Sequence, residues 1–236
     1  MRVGLVIYGS LDTISGGYLY DRKLVEQLGV LGHSVSLFTL AYRDYAKHLC
    51  DNLNSTWNER LAQARVDVML QDELNHPSLL WANLRRRNTR RHYPVASVVH
   101  HLRSSETEHP PLLRRFYREI ERIYLNSVDA LLYNSATTRN TVEPLLNRPR
   151  PALVAYPAAN HLPADEPAVD LRTIAARSRT PGPLRVLFVG NLIPRKGLDQ
   201  LLNALAQLPD GSWQLTVVGG QTADHGYTKY IHARCN

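Results

Sequence analysis

Several features are scarce in this sequence of 236 residues, and each absence excludes a class of protein. The two cysteines, Cys50 and Cys235, lie far apart and lack metal-ligand spacing, so we expect a reducing compartment and no disulfide framework. No apolar run approaches the ~20 residues of a membrane-spanning helix. The first apolar run is short and is interrupted by Gly9 and Asp12, which argues against a signal peptide. We therefore expect a cytoplasmic protein, either free or peripheral on the inner face of a membrane.

Signature motifs of several ligand-binding folds are also missing. The sequence contains neither the G-x-G-x-x-G dinucleotide fingerprint nor a Walker A loop. It has no zinc-finger spacing and no aromatic signature of RNA recognition, so nucleic acid is not an expected partner although the net charge is +7. No metal and no cofactor are expected.

Much of the positive charge is local. Five arginines fall within Arg85–Arg91, and a second group recurs at three- and four-residue spacings: Arg114, Arg115, Arg118 and Arg122. Such spacings place side chains on one side of a helix. A solvated helix face explains this pattern most simply, and contact with the phosphate groups of an anionic membrane surface is the alternative.

The first half of the chain alternates short apolar runs with longer segments of helical periodicity. Strands are predicted at 2–8, 34–40, 65–71, 94–100, 128–134 and 151–157, and helices at 18–33, 112–127 and 135–146. Alternating strands and helices are typical of a parallel sheet that is covered on both faces. The sequence therefore predicts an α/β protein with a doubly wound, Rossmann-like N-terminal domain.

A change of composition divides the chain into a domain at 1–157, a linker at 158–183 and a second domain at 184–236. The linker is rich in proline, alanine and charge, and a short helix is predicted near Leu171–Arg177. One βαβ unit follows, with strands at 185–190 and 213–220 around a helix at 197–208, whereas 221–236 has no strong pattern. Two strands and one helix cannot cover their own apolar faces, so we expect this second domain to be incomplete.

Two candidate sites lie in the first domain, at points where predicted strands end. Gly16 and Gly17 separate the first strand from its helix, where backbone N–H groups and the helix dipole favour an anion, although a simple turn is the alternative. His100 and His101 follow the strand at 94–100, and ligands of open α/β sheets bind beyond the carboxyl ends of strands. A loop histidine with a structural partner is the alternative for this pair.

A third candidate site is the segment "GNLIPRKG" in the second domain. Gly190 and Gly197 frame it, and Arg195 and Lys196 immediately precede a predicted helix. Two cations beside free N–H groups could hold a diphosphate, whereas an ordinary basic loop is the alternative.

Together these segments resemble a known family. "SGGYLYDRKLVEQLGVLGHSVSLFT", "VVHHLRSSE", "DALLYNSATTR" and "RVLFVGNLIPRKGLDQLLNALAQL" are similar to segments of retaining glycosyltransferases of family four. Members of that family have the GT-B fold, which consists of two facing Rossmann-like domains. The resemblance implies transfer of a hexose, with retention, from a UDP- or GDP-sugar donor to a glycan or lipid-linked acceptor.

The resemblance also implies roles for the first-domain residues. Residues 1–157 would form the acceptor-side domain. Gly16 and Gly17 would form the loop near the donor diphosphate and the acceptor. His100 would reach the donor sugar, and His101 would be the second residue of this donor-binding pair.

In the second domain the resemblance implies that Lys196, helped by Arg195, neutralises the leaving diphosphate without a metal. Gly190 and Asn191 would contact the donor. The family commonly has arginine at the position of Asn191, so Arg195 would carry more of the phosphate contact here.

One family motif does not occur in this sequence. Members carry two glutamates, eight positions apart, late in the second domain, whereas the last glutamate here is Glu166. We therefore expect a C-terminally truncated member of the family. Three alternatives follow for the activity of this chain by itself. It is a glycosyltransferase that lacks part of its donor domain, or one half of a split enzyme that a second chain completes. The third alternative is a non-catalytic module that binds phospholipid or phosphorylated glycan.

Overall fold

The computed structural model describes residues 1–86, 93–158 and 170–235. The chain divides into two compact units, Met1–His161 and Leu162–Asn236. Most of the arginine-rich segment 85–91 lies outside the described residues, and so do positions 159–169 of the predicted linker.

The first unit is built on a six-stranded parallel sheet with the strand order β2-β1-β3-β4-β5-β6. Its strands are β1 (Arg2–Tyr8), β2 (Ser34–Leu40), β3 (Val68–Asp72), β4 (Val95–Val99), β5 (Ala130–Tyr133) and β6 (Ala152–Val154). Every neighbouring pair is parallel, so all six carboxyl ends lie at the same edge of the sheet.

Helices connect these strands. They are α1 (Gly16–Val30), α2 (Tyr45–Cys50), α3 (Ser55–Ala62), α4 (Leu80–Arg86), α5 (Pro111–Leu125) and α6 (Ala136–Val142). Among the described helices of the whole chain, none combines the length and the apolar composition that a membrane crossing requires.

The core of the first unit lies on both faces of the sheet. Strand β1 has six of its seven residues buried. Leu5 and Ile7 pack with Tyr18 of α1, whereas Val6 belongs to a larger cluster that includes Trp57. Since alternate residues of a strand point to opposite faces, these two clusters cover opposite sides of β1. The doubly wound, Rossmann-like arrangement expected from the sequence is confirmed.

The second unit contains a two-stranded parallel sheet and three helices within its described residues. Its elements are α7 (Leu171–Arg179), β7 (Leu184–Val189), α8 (Leu198–Leu205), β8 (Trp213–Val218) and α9 (His225–Cys235). Leu198 and Leu202 of α8 and Ile231 of α9 form a small core against Phe188 and Leu215 of the strands. The predicted βαβ unit and the short helix after 170 are confirmed.

The other face of the β7–β8 sheet is exposed. Leu187 and Val189 of β7 are 63 % and 70 % exposed, and Val218, which is in register with Val189, is 51 % exposed. Val186 and Phe188 alternate with them on the inner face and are partly buried. This arrangement agrees with the expectation that one βαβ unit cannot cover both faces of its own sheet.

Helix α9 was not predicted, because 221–236 has no clear apolar periodicity. The reason is visible in its packing, since Ile231 is the one fully buried apolar side chain among residues 225–234, and Tyr227 packs beside it. The hydroxyl of Tyr227 donates to the Asp199 carboxylate at 2.8 Å and accepts from the Asp199 N–H at 3.0 Å. Tertiary contacts with α8 therefore hold this helix more than its own pattern does.

A close backbone approach in the second unit provides a stability test. A Cβ atom added to Gly219 would lie 1.9 Å from the carbonyl oxygen of Gly190. We expect Gly219→Ala to lower the free energy of unfolding by about 1–3 kcal/mol, because the β7 and β8 ends must move apart. Urea unfolding of the full chain measures this loss.

Gly226→Ala is the matched control in the same unit, because the nearest atom to its added Cβ would be 3.4 Å away, an ordinary contact. Equal stability of the two variants would contradict the close approach of Gly219 to the Gly190 carbonyl.

Candidate functional site

The candidate site of the first unit lies at the carboxyl edge of its parallel sheet. The chain leaves β1 through a loop that reaches α1 at Gly16, and it leaves β4 at His100. It leaves β3 at Asp72 and β5 at Asn134. Four neighbouring connections therefore bring polar groups to one edge, as is general for open α/β sheets.

Gly16 and Gly17 form the first turn of α1. Ser15 caps the helix, and its hydroxyl accepts from the Tyr18 N–H at 3.3 Å. The N–H groups of Gly16 and Gly17 donate to no other described residue, so they remain available to an anion. A Cβ atom at Gly16 would meet nothing within 4 Å, and one at Gly17 would contact the His100 ring at 3.6 Å. The space beside this turn is therefore open, and His100 forms one wall of it.

His100 is fixed by its backbone and by its ring. Its carbonyl oxygen accepts from the side chains of Asn134 at 3.1 Å and Thr138 at 3.4 Å. Its Nε2 lies 3.3 Å from Oδ1 of Asp21, a fully buried residue of α1. The rings of Tyr20 and His100 meet edge to face, with their centroids 5.1 Å apart. The histidine side chain retains 16 % exposure, so it can still reach a ligand.

Negative groups surround this histidine. Burial alone would lower the pKa of His100, but the hydrogen bond to Asp21 and the nearby Asp72 and Glu73 carboxyls raise it above its ordinary value. Burial and the neighbouring Asp21 charge raise the pKa of Asp72. Burial raises the pKa of Glu73 to about 8. The surroundings of His100 therefore favour its imidazolium form.

Two groups of side chains could offer ligands to a cation within the described residues. Asp21, Asp72 and His100 have ligand atoms that lie within 4.8 Å of one another. Glu73, His76 and Glu121 form a second, fully buried group of this kind. Their contacts in this structure are with one another and with protein donors such as Ser104, which donates to Glu121. We assign no metal to either group.

His101 takes a different direction from His100. Its Nε2 lies 3.7 Å from the Glu106 carboxylate, and its side chain is about half exposed. The structure therefore brings Gly17 and His100 together and leaves His101 outside that contact.

The candidate site of the second unit is the loop that joins β7 to α8. The Gly190 N–H donates to the Val218 carbonyl at 2.9 Å, and Asn191 Oδ1 accepts from the Gly220 N–H at 3.1 Å. Asn191 therefore ties the carboxyl ends of β7 and β8 together. This structural contact accounts for an asparagine where the family resemblance leads us to expect arginine.

The two cations of this loop lie just before α8. Arg195 and Lys196 belong to the short 3₁₀ turn Pro194–Lys196, and Gly197 follows with φ of 71°, a left-handed conformation that favours glycine. The aliphatic part of Lys196 lies over Gly190, where an added Cβ would meet its Cδ at 3.6 Å. Lys196 forms no ion pair with the described residues, so its ammonium group is available beside the N-terminus of α8.

Some residues of these sites were not predicted from the sequence. Asp21 follows Gly17 by four positions and therefore lies on the same helix face, which is the signal that could have found it. Asp72 ends β3 and could have been found from its position at the carboxyl edge. Gly219 could have been found from the pair of glycines that ends "WQLTVVGG".

Residues 172–235 match the family model of glycosyl transferases group 1. The matched segment contains β7, α8, β8 and the whole Gly190–Gly197 loop. No curated protein matches this sequence.

Solved structures share the fold over nearly the whole chain. Anabaena HepE in complex with UDP and glucose is 15 % identical, with a TM-score of 0.62 over 99 % of this chain and 65 % of that one. A glycosyltransferase from Rickettsia africae is 13 % identical, with a TM-score of 0.53 over 99 % of this chain and 64 % of that one. A putative UDP-N-acetylglucosamine 2-epimerase from Listeria monocytogenes is 11 % identical, with a TM-score of 0.51 over 100 % of this chain and 66 % of that one.

These similarities confirm the predicted fold class, a Rossmann-like unit followed by part of a second one, as in GT-B proteins. This chain spans 65 % of the HepE structure. At such low identity the shared fold does not identify a reaction, and a putative epimerase has it as well. The family match of residues 172–235 supports a relation to sugar transfer in general.

Proposed function

We propose that this protein takes part in the transfer of a hexose from a nucleotide-diphosphate sugar, UDP- or GDP-linked, to a glycan or lipid-linked acceptor, with retention at the anomeric carbon. The observation that carries the proposal is the Gly190–Gly197 loop. It combines an available ammonium group with a helix N-terminus inside the segment that matches the glycosyl transferase family.

In this proposal the second unit binds the donor diphosphate. Lys196 and Arg195 neutralise the negative charge that grows on the leaving diphosphate, and the first N–H groups of α8 add to that field. Gly190 and Asn191 let the chain pass close to the phosphates while they join the strand ends. Charge stabilisation of this kind requires no redox change in the protein.

The first unit supplies groups for the sugar and the acceptor. His100 donates a hydrogen bond to an oxygen of the donor sugar, and His101 is a further donor contact on the same loop. The open space beside Gly16 and Gly17 accommodates the acceptor side of the reaction, with two N–H groups directed at an anionic oxygen.

The exposed face of β7 and β8 has a place in this proposal. Leu187, Val189 and Val218 form an apolar surface that further donor-side elements would cover. We propose that sugar transfer requires those elements, which either belong to the same polypeptide or come from a second chain.

Lys196→Ala tests the diphosphate assignment. We expect its affinity for UDP to fall roughly tenfold, since a charge-assisted hydrogen bond contributes about 1.5–3 kcal/mol. Calorimetric titration of UDP into the full chain measures the change. Lys229→Ala is the matched control, an exposed lysine of α9 outside the loop, and its affinity should equal that of the unsubstituted protein. Equal affinities in all three proteins would contradict the assignment.

A second candidate function, binding of phospholipid at an anionic membrane surface, is favoured by α5. This helix exposes apolar side chains, Leu112, Phe116 and Ile123, along one stripe, and Arg115 and Arg118 flank that stripe. A solvated helix face would not need exposed apolar residues between its cations, whereas an interfacial helix combines both.

Two open cavities adjoin this helix. One of about 230 Å³ is lined by Arg114, Arg115 and Arg118 together with Ser104 and Pro111. Another of about 380 Å³ includes Leu84 of α4 with Arg122 and Arg148. On α4, the Arg85 guanidinium lies 4.8 Å from the centre of the exposed Trp81 ring. Arginine next to tryptophan is suited to the headgroup region of a bilayer.

Vesicle sedimentation tests this second candidate. We expect the full chain to bind vesicles with anionic lipid and to lose most of that binding in the double variant Arg115→Glu/Arg118→Glu, since each surface cation contributes about 1 kcal/mol. Arg172→Glu/Arg177→Glu on the exposed helix α7 is the matched control for net charge. Binding that is indifferent to lipid charge, or equal losses in both double variants, would refute a specific α5 surface.

A further inference from the structure

We propose that Asp21 is the positioning residue of His100: its carboxylate holds the ring through Nε2, so that Nδ1 is the nitrogen left to donate to an oxygen of the ligand. This inference rests on the proposed function, because it concerns the histidine assigned to the donor sugar.

The first step is the burial of Asp21. It is fully buried on α1, four positions after Gly17, and its Oδ1 lies 3.3 Å from Nε2 of His100. Its Oδ2 is also buried and has no hydrogen-bond partner among the described residues. A buried carboxylate is costly unless it is compensated, so the contact with a cationic imidazole stabilises it. Asp21 itself does not touch a ligand, because no part of it is exposed.

The second step is the limited freedom of His100. Its carbonyl oxygen is held by Asn134 and Thr138, which belong to the β5–α6 connection. Its ring lies against the edge-on ring of Tyr20 and beside the open position of Gly17. With Nε2 directed at Asp21, Nδ1 is the remaining nitrogen, and it has no hydrogen bond with a described residue. The contact with Asp21 therefore engages Nε2 and leaves Nδ1 as the nitrogen that can donate to a ligand.

The third step is the charge around the ring. Asp21 and Tyr20 face it from α1, and Asp72 and Glu73 face it from the end of β3. Burial raises the pKa of Asp72 and of Glu73, and of these carboxyls Asp21 is the one that has a hydrogen bond to the ring. A protonated His100 can donate from both nitrogens and cannot act as an acceptor. It would stabilise an anionic or hydroxyl oxygen, and it would not serve as a general base.

A purely structural role for Asp21 makes a different prediction. In that case replacing the carboxylate would destabilise the fold and would leave the titration of His100 in the folded protein unchanged. The titration of one histidine therefore separates the two roles, and it does not depend on turnover.

The test is an NMR titration of the histidine rings in the full chain. We expect His100 to titrate above 6.5 in the unsubstituted protein and about one pH unit or more lower in Asp21→Asn, because the charge partner is removed. Its ring signals should show Nε2 engaged and Nδ1 exposed. Glu121→Gln is the control: that carboxylate bonds to Ser104 and not to His100, so the titration of His100 should not change.

If His100 titrates identically in Asp21→Asn and in the unsubstituted protein, the inference is overturned. Asp21→Glu keeps the charge and should restore a raised titration if the variant holds the contact. A parallel binding comparison separates this inference from the proposed function. Asp21→Asn should weaken the binding of UDP-glucose several-fold and leave that of UDP unchanged. A shifted His100 titration with both affinities unchanged would support the Asp21–His100 pair and count against the assignment of His100 to the donor sugar.

Discussion

A parallel strand that is buried on both faces constrains everything around it. Strand β1 is buried and pairs in parallel with both β2 and β3, so the chain that leaves its carboxyl end must cross back over the sheet before the next strand. All six strands of the first unit pair in parallel, so their connections leave the sheet at the same edge. The chemistry of the unit is concentrated there because only this edge combines helix N-termini with side chains that follow the strands. Asp21, Asp72 and His100 come from three separate segments of the sequence and meet for this reason.

The second unit applies the same arrangement on a smaller scale. Its loop passes from β7 through Gly190 to Gly197 and opens α8, and Gly219 allows the ends of β7 and β8 to lie almost in backbone contact. Glycine is required at two positions here for different reasons, a left-handed φ at Gly197 and the lack of space at Gly219. Neither reason applies to Gly16 and Gly17, where the added space is open. A ligand could occupy that space, which is consistent with the proposed anion contact.

Most of the fold could be predicted from the sequence. Apolar runs and helical spacing predicted all eight strands of the described residues and the helices α1, α5, α6, α7 and α8. They did not locate α2, α3, α4 or α9, the last of which depends on Ile231 and on the Tyr227–Asp199 contact, and the predicted strand and helix ends differ from the structure by a few residues. The positions of His100 and Lys196 at strand and helix ends were foreseeable from order along the chain. The Asp21–His100 pair was not foreseeable, because these residues are 79 positions apart and meet only when α1 packs on the sheet beside the end of β4.

The central claim is that the Gly190–Gly197 loop of the second unit binds the diphosphate part of a nucleotide sugar. Titration of UDP into the isotopically labelled full chain, observed through its glycine amide signals, tests this claim most directly. Gly190 and Gly197 of that loop should shift and saturate with UDP, whereas Gly29 and Gly211, which lie at other turns and helix ends, should stay in place. Saturable shifts confined to Gly29 and Gly211, or no shift of any glycine at millimolar UDP, would contradict the account.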